Sequence, residues 1–564
     1  MSHSSSRRPG GRRRARSFLI VCIAVLTVVP ALAATAAGAQ TTDDTISEKL
    51  IRSGPMTPQK AELLGKTVEF GENCDTTTGR VKLPSLYAAP CVEPFTGKNG
   101  GATSPGVTAD SIKIIAYVAD PSKDPLLAAT IKDAGADVGA QGVKDTMQGY
   151  VDGYNKIYEL YGRKVDLEFF DATGAAADTT AAKADAIAIA SKKPFAVIGG
   201  PQQSTTVFSD ELAARGVVCV GTCATAVPNT IQQDHAPYIW SDGPNPEEGA
   251  LLAGEMISKI APPGKAKFAG DPDLKNKKRV YGIAHYDTPD GQYAGLYKQL
   301  ASTLKKNGIN VKSEASFFLD VNKLQESART IITKFKNAGV TTVIYTGDPL
   351  SPATITKEAT AQDYSPEWIL GPSVLADTAI FGRTFDQDQW KNAFGVSLIP
   401  GRGADETQEA LKLYRWFTGE EPPSNTRGVI NPSIHLLFRG IHLAGPKLTP
   451  KTFRDGEFRY PITGDGAVAI QQSFGDHGIW PFTDYSGSDT AAIIWWDPEA
   501  KGQDEVGADG DGLYRYANEG QRYSVGEFPS ETESGLHDDA SSVTIFDTLP
   551  PADTPPDYPS PATG

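Results

Sequence analysis

What the 564-residue chain lacks narrows its chemistry first. It contains no G-x-S-x-G, no P-loop and no H-E-x-x-H. A nucleophile elbow, a phosphate cradle and a helical zinc pair depend on those spacings, which bring the reacting groups onto one turn or one helix face. Outside the N-terminal segment the histidines are His235, His285, His435, His442, His477 and His537, and they form no Cys/His cluster. His435 and His442, seven apart, fit a shared helix face, for which a place in the core is a sufficient account. Gly507 to Gly512 (GADGDG) lacks the full D-x-D-x-D-G pattern with its distal Glu, so it reads as a turn rather than a calcium loop. No catalytic set, metal ligand or cofactor is assigned, and the expectation is a protein that is not an enzyme.

Positive charge is also short. Lys and Arg number 54 against 68 Asp and Glu, a formal net charge of −14. Six of the arginines, Arg7, Arg8, Arg12, Arg13, Arg14 and Arg16, stand before the apolar run at 18–29, with no acid among them. Small residues follow: Ala31, Ala33, Ala34, Ala37 and Ala39. A basic start, a short apolar stretch and A-x-A sites are the parts of a secretory signal, with cleavage expected after Ala33 or Ala39. The run falls short of the ~20 residues that span a bilayer. Losing that segment takes the mature chain to about −20, which argues against nucleic acid and anionic membranes as partners.

Cysteine is scarce too, with five in all. Cys22 leaves with the signal, so the exported chain keeps Cys74, Cys91, Cys219 and Cys223, an even count that suggests two disulfides. Three pairings are open, and local pairing, 74 with 91 and 219 with 223, is the expectation. A bridge between positions four apart demands a turn, which Gly221 and Thr222 can supply. The alternative for Cys219 and Cys223 is a pair of buried thiols.

What is present is a long alternation. Apolar strand-like runs at 111–120, 165–170, 195–199 and 217–221 are separated by helical patterns at 143–161, 175–190 and 204–215. A second series follows: helix at 247–260, strand at 279–285, helical stripes at 293–304 and 324–335, then strands at 342–345, 368–370 and 394–398. Two βαβ series imply an α/β protein with two doubly wound, Rossmann-like lobes. The expected organisation is a signal at 1–39, an N-terminal extension at 40–105, and a first lobe from 106–243 and 401–450. A second lobe covers 244–400, a C-terminal segment with a hairpin at 492–497 and 512–516 covers 451–530, and a Pro-rich, loose tail ends the chain at 531–564.

The order of several segments then resembles a known family. PGVTADSIKIIAYVAD, FAVIGGPQQSTTVFSDELAARGVVCVGTCAT, RVYGIAHYDTPDGQYAGLYKQL, TTVIYTGDPLSPATITKEATAQDYSPEWILGPS and INPSIHLLFRGIHLAG follow one another as in type I periplasmic binding proteins of the leucine/isoleucine/valine-binding branch. The resemblance implies two lobes joined by a hinge, closing on a solute that is handed to the permease of an ABC importer. It further implies a monomer on the outer side of the membrane, binding a small polar, amino-acid-like or carboxylate-bearing molecule. An extracellular sensor coupled to a receptor is the alternative, and a secreted hydrolase a weaker one.

The same resemblance selects candidate ligand-binding residues, all in loops after strands. In the first lobe they are Gln203, Ser204 and Thr205, then Cys223, Ala224 and Thr225. Ser204 and Thr205 also suit helix capping. In the second lobe they are Tyr286, Tyr293, Asp348 and Ser373. Two of these depart from the family pattern: Asp348 stands where a tyrosine is expected, and Ser373 where the acid that receives an ammonium is expected. Asp348 is read either as a substitute anchor or as the turn residue before Pro349.

Overall fold

A short hairpin, β1 (Cys74–Asp75) and β2 (Arg80–Val81), lies near the start of the described chain and is tied down by the Cys74–Cys91 disulfide. The computed structural model describes residues 46–123, 128, 139–288, 291, 293–320 and 322–562. The expected signal segment, with Cys22 and both cleavage points, lies outside them. The chain divides into two units, Met1–Asp43 and Asp44–Gly564, and every helix and strand among the described residues lies in the second.

Strands covered on both faces must be largely apolar, and the first sheet is built from such runs apart from its edge strand at 164–171, which carries charged residues. Its members are β3 (Ser111–Val118), β4 (Lys164–Asp171), β5 (Ala196–Ile198), β6 (Val218–Val220) and β7 (Ile239–Trp240), all parallel, in the order β4-β3-β5-β6-β7. In β3, Ile112, Ile114 and Ala116 pack with Tyr150, Tyr154 and Leu437 on one face. Ile115 and Tyr117 pack with Ala182, Phe208 and Leu212 on the other. Four helices supply those partners: Ala140–Ile157, Thr179–Ser191, Thr205–Ala214 and Arg427–Ala444. The second of them starts later than its alanines suggest, because the Asp178 carboxylate accepts the Ala181 N–H at 2.9 Å and fixes the first turn.

The second sheet repeats the plan. β8 (Tyr281–Tyr286), β9 (Val311–Phe317), β10 (Thr342–Gly347), β11 (Glu367–Ser373) and β12 (Phe394–Ser397) run parallel in the order β9-β8-β10-β11-β12. Against β12 the late chain adds β13 (Ala491–Gln503), which carries β14 (Asp509–Tyr516) and β15 (Arg522–Tyr523), all antiparallel. The hairpin extends further than its apolar residues indicate: Lys501, Gly502 and Gln503 pair with Asp511, Gly510 and Asp509. Most of the acidic, glycine-rich stretch is therefore strand. Its tip is held by Arg383, whose Nη1 lies 2.9 Å from Asp504 Oδ2.

Both parallel sheets share one order, in which the second strand lies outside the first and the third lies inside it. The order reverses between β3 and β5, and again between β8 and β10. Loops leaving the strand ends at such a reversal diverge and open a crevice. The chain passes between the sheets at 241–245, 398–408 and 485–490, and two of these crossings are stitched together. Ser241 N–H donates to Tyr485 O at 3.0 Å, and Gly487 N–H donates to Ser241 O at 3.0 Å.

The Pro-rich tail is held against the body rather than loose. Trp416 Nε1 donates to Tyr558 O at 2.8 Å, and Tyr558 Oη donates to Asp75 Oδ2 at 2.9 Å. Proline content lowers the entropy lost on fixing such a strap, so composition alone misreads it.

Candidate functional site

The first group of site residues sits on two loops beyond β5 and β6. Gly199 leaves β5 with φ +74°, and a Cβ there would lie 2.3 Å from Tyr117 O, so only glycine fits. The chain then turns through 201–204, with Ser204 N–H donating to Pro201 O at 2.8 Å, and enters the helix Thr205–Ala214. Ser204 and Thr205 do not cap that helix through their side chains. Ser204 Oγ donates to Ala176 O at 2.8 Å, and Thr205 Oγ1 donates to Thr225 O at 2.7 Å. The second bond ties this loop to the next one. Gln203 is partly exposed beside them, and Thr206 Oγ1 is buried with no hydrogen-bond partner among the described residues.

Beyond β6 the turn demanded by cysteines four apart is present. Gly221 has φ +68°, the 3-10 turn Gly221–Ala224 follows, and the Cys219–Cys223 disulfide closes it with the Cα atoms 5.5 Å apart. With its sulfur in the bridge, Cys223 has only its backbone to offer a ligand. Ala224 is buried and Thr225 partly exposed. The turn is also fastened from below. Thr222 N–H donates to Ser433 Oγ at 2.9 Å, and Ser433 Oγ donates to Asp242 Oδ2 at 2.7 Å. Asp242 lies in the first crossing, so one hydroxyl connects the loop to the hinge.

The second group stands at the ends of β8, β10 and β11. Asp287 Oδ1 accepts the N–H groups of Thr288 and Tyr293, both at 2.9 Å, and so shapes the loop between them. Tyr293 immediately precedes the helix Ala294–Lys306 rather than belonging to its apolar stripe. Its ring meets Tyr286 edge-on, with centroids 5.5 Å apart, and both rings are partly exposed. Burial pushes the Tyr286 hydroxyl pKa up, so it remains a neutral donor. Ser373 ends β11 opposite Gly347. Asp348 is engaged locally: Oδ1 accepts Leu350 and Ser351 N–H, each at 2.8 Å, and Oδ2 accepts Ser351 Oγ at 2.7 Å. The turn-forming reading of Asp348 matches this geometry.

The two helix histidines belong to the core. His435 Nε2 lies 2.7 Å from Tyr158 Oη, and burial pushes its pKa down to about 3. His442 accepts Glu159 N–H at 3.1 Å, its other nitrogen meets Pro90 O at 3.0 Å, and its pKa falls to about 4. Neutral rings with both neighbours supplied by the fold are packing elements.

Two doubly wound sheets with candidate residues at both reversal points define a two-lobed binding protein of type I. The chain belongs to the periplasmic binding protein family, whose model its residues 129–468 match. Among solved structures it is similar to an ABC-transporter solute-binding protein from R. palustris in complex with 4-hydroxybenzoate. That match has 13% identity, 74% of this chain and 98% of that chain covered, and a TM-score of 0.49. It is also similar to the branched-chain amino acid transporter substrate-binding protein LivJ from Streptococcus pneumoniae in complex with isoleucine, with 15% identity, 72% and 100% covered, and a TM-score of 0.45. An ABC-transporter substrate-binding protein from Aeropyrum pernix matches at 12% identity, 76% and 100% covered, with a TM-score of 0.49. No curated protein matches the chain.

Proposed function

We propose that this protein is the extracellular substrate-binding component of an ABC-type importer, and that it captures a small polar, carboxylate-bearing solute between its lobes. The observation that carries the reading is the Thr205–Thr225 bond. It locks together the loops that follow β5, which borders the reversal, and β6; one enters a ten-residue helix and the other a tight turn. Backbone N–H groups at such starts favour an anion. Tyr286 and Tyr293 then form an aromatic wall with hydroxyl tips on the facing lobe. Gln203, Ser204, Cys223, Ala224 and Ser373 complete the proposed contacts, and lobe closure over the solute would present the loaded form to the permease.

Mass spectrometry of small molecules released from protein purified without denaturation tests this directly. A stoichiometric carboxylate is the expected result. Calorimetry with that compound should then show Thr225→Val and Tyr293→Ala each losing about 10-fold or more in affinity at an unchanged ligand-free melting temperature. Parent-like binding by both variants would remove the solute from this crevice.

A further inference from the structure

The last stretch of chain is pinned first to the second sheet. Tyr516 of β14 and Val543 exchange two backbone hydrogen bonds, at 2.7 and 3.0 Å, and Trp495 Nε1 of β13 donates to Ser542 Oγ at 3.1 Å. Phe546 is buried in the core of that sheet. Its N–H donates to Arg402 O at 2.9 Å and its carbonyl accepts Ala404 N–H at 3.0 Å, so it sits on the crossing at 398–408. Asp553 then takes the N–H groups of 467–469. That segment borders the same crossing, since Gly401 N–H donates to Val468 O at 3.0 Å, and Ala467 and Val468 pack against the second core.

By Tyr558 the chain has changed sheets. Tyr558 O accepts Trp416 Nε1 at 2.8 Å, and Ser560 Oγ donates to Trp416 O at 2.6 Å. Trp416 lies on the helix Glu409–Thr418, whose Leu413, Tyr414 and Phe417 pack in the core of the first sheet. Tyr558 Oη reaches Asp75 in the N-terminal hairpin, and Val81 of that hairpin is buried in the same core. Between the two pins stand only Thr554, Pro555, Pro556 and Asp557. The steps from Asp553 to Tyr558 reach about 18 Å at most. Two prolines with φ held near about −65° leave little length to gain by rearrangement. The bridge is short, stiff and fastened at both ends.

We infer that residues 542–560 are a tether between the lobes, limiting how far they rotate apart about the crossings. This rests on the lobe motion in the reading above and names what bounds that motion. A linker pinned to two bodies resists any rotation that separates its pins, and a Pro-rich one does so with little slack. A tail that only covered apolar surface on one lobe would need no anchor on the other. Widely opened states compete with the closed one, so trimming them raises the apparent affinity for the solute. The restraint acts in ligand-free protein, where it can be read without a solute.

Spin labels at Thr180→Cys and Glu326→Cys report the motion. Both positions are exposed in the first turn of a helix that follows an edge strand, one for each sheet. Pulsed electron-spin distance measurements on ligand-free protein compare the labelled parent with a chain ending at Thr554 and with a chain carrying about six Gly/Ser residues between Pro556 and Asp557. The insertion keeps both anchors and only lengthens the bridge, a change that surface segments tolerate. Both altered chains should give a label-to-label distribution reaching about 2 Å or more beyond that of the parent. A packing role alone would let truncation lower the melting temperature while the inserted chain kept the parent's distribution. The inference is overturned if the inserted chain gives the parent's distribution, whatever its melting temperature. Should the truncated chain fail to fold, the inserted chain decides alone. Crevice capture is judged apart from this, by the released-ligand mass spectrum and by Thr225→Val.

Discussion

The carboxyl group of Glu248 faces that of Asp484, bringing the first turn of a second-lobe helix against the segment at the last crossing between sheets. Both side chains are buried, and Asp484 Oδ2 has no hydrogen-bond donor among the described residues. Two carboxyls in contact out of water hold a proton between them. Asp489 adds to the group: Trp480 Nε1 donates to its Oδ1 at 2.9 Å, His477 faces it, and its pKa is pushed up to about 7 by burial. Burial likewise pushes Glu248 and Asp484 well up.

These raised values set a sign. A carboxyl whose folded pKa exceeds its unfolded one contributes stability that is complete below the unfolded value of about 4 and is lost as pH rises through the folded value. For Asp489 that window runs from about 4 to about 7. Each such group contributes a slope of about 1.4 kcal/mol per pH unit inside its window. Glu248→Gln mimics the protonated acid, and Asp489→Asn keeps the acceptor for Trp480. Melting curves across pH 4 to 8 should show both variants gaining on the parent as pH rises. Parallel curves would mean that these carboxyls titrate no differently in the folded chain.

The two disulfides should fail in different ways. Cys74–Cys91 closes a separation of 17 residues and Cys219–Cys223 one of 4. Loop-closure entropy assigns about 3 kcal/mol to the first and about 2 to the second. The shorter bridge, however, shapes the turn that carries Ala224 and Thr225. Replacing Cys74 and Cys91 by alanine should cost more in urea denaturation, and replacing Cys219 and Cys223 should cost more in solute affinity. Alkylation without reductant of a chain lacking its first 39 residues should add no mass; an adduct at 219 or 223 would contradict the shorter bridge.

The ease with which these elements can be read from sequence follows burial. β3 from Ile114 to Val118 and β10 from Val343 to Tyr345 are apolar because both faces are covered, so they stand out as runs. β9 is an edge strand whose exposed and buried residues alternate through Lys312, Ser313 and Glu314, and no apolar run marks it. The strand-end loops were legible because parallel topology places ligands there, whereas the destinations of the Ser204 and Thr205 hydroxyls were not, since both bond to carbonyls distant in sequence.

Asp553 shows what the tail adds. It is 2% exposed, and its carboxylate accepts three backbone N–H groups, from Ala467 at 2.9 Å, Val468 at 3.1 Å and Ala469 at 2.7 Å. Asp553→Ala leaves those donors buried and unmet, and should cost about 2–3 kcal/mol in urea denaturation. Tyr558→Phe removes one neutral donor to Asp75 and should cost about 1 kcal/mol or less. Equal and negligible effects would mean that the strap is only loosely held.

Asp348 separates a turn from a ligand contact. Its three accepted hydrogen bonds fix the entry to the helix Ser351–Ala361, the arrangement of a capping residue set two positions early. Burial pushes its carboxyl pKa up, while the Ser351 hydroxyl and the two N–H groups pull it down, so its charge is already answered by local donors. Asp348→Ala removes all three bonds and should lower stability by about 1–2 kcal/mol. Asp348→Asn keeps the oxygen that serves both N–H groups and should lose less than about 1 kcal/mol. Neither variant should shift solute affinity by more than about threefold once folded protein is compared. If Asp348→Asn instead melts like the parent and loses about 30-fold in solute affinity, Asp348 is a ligand contact and not only the residue of its turn.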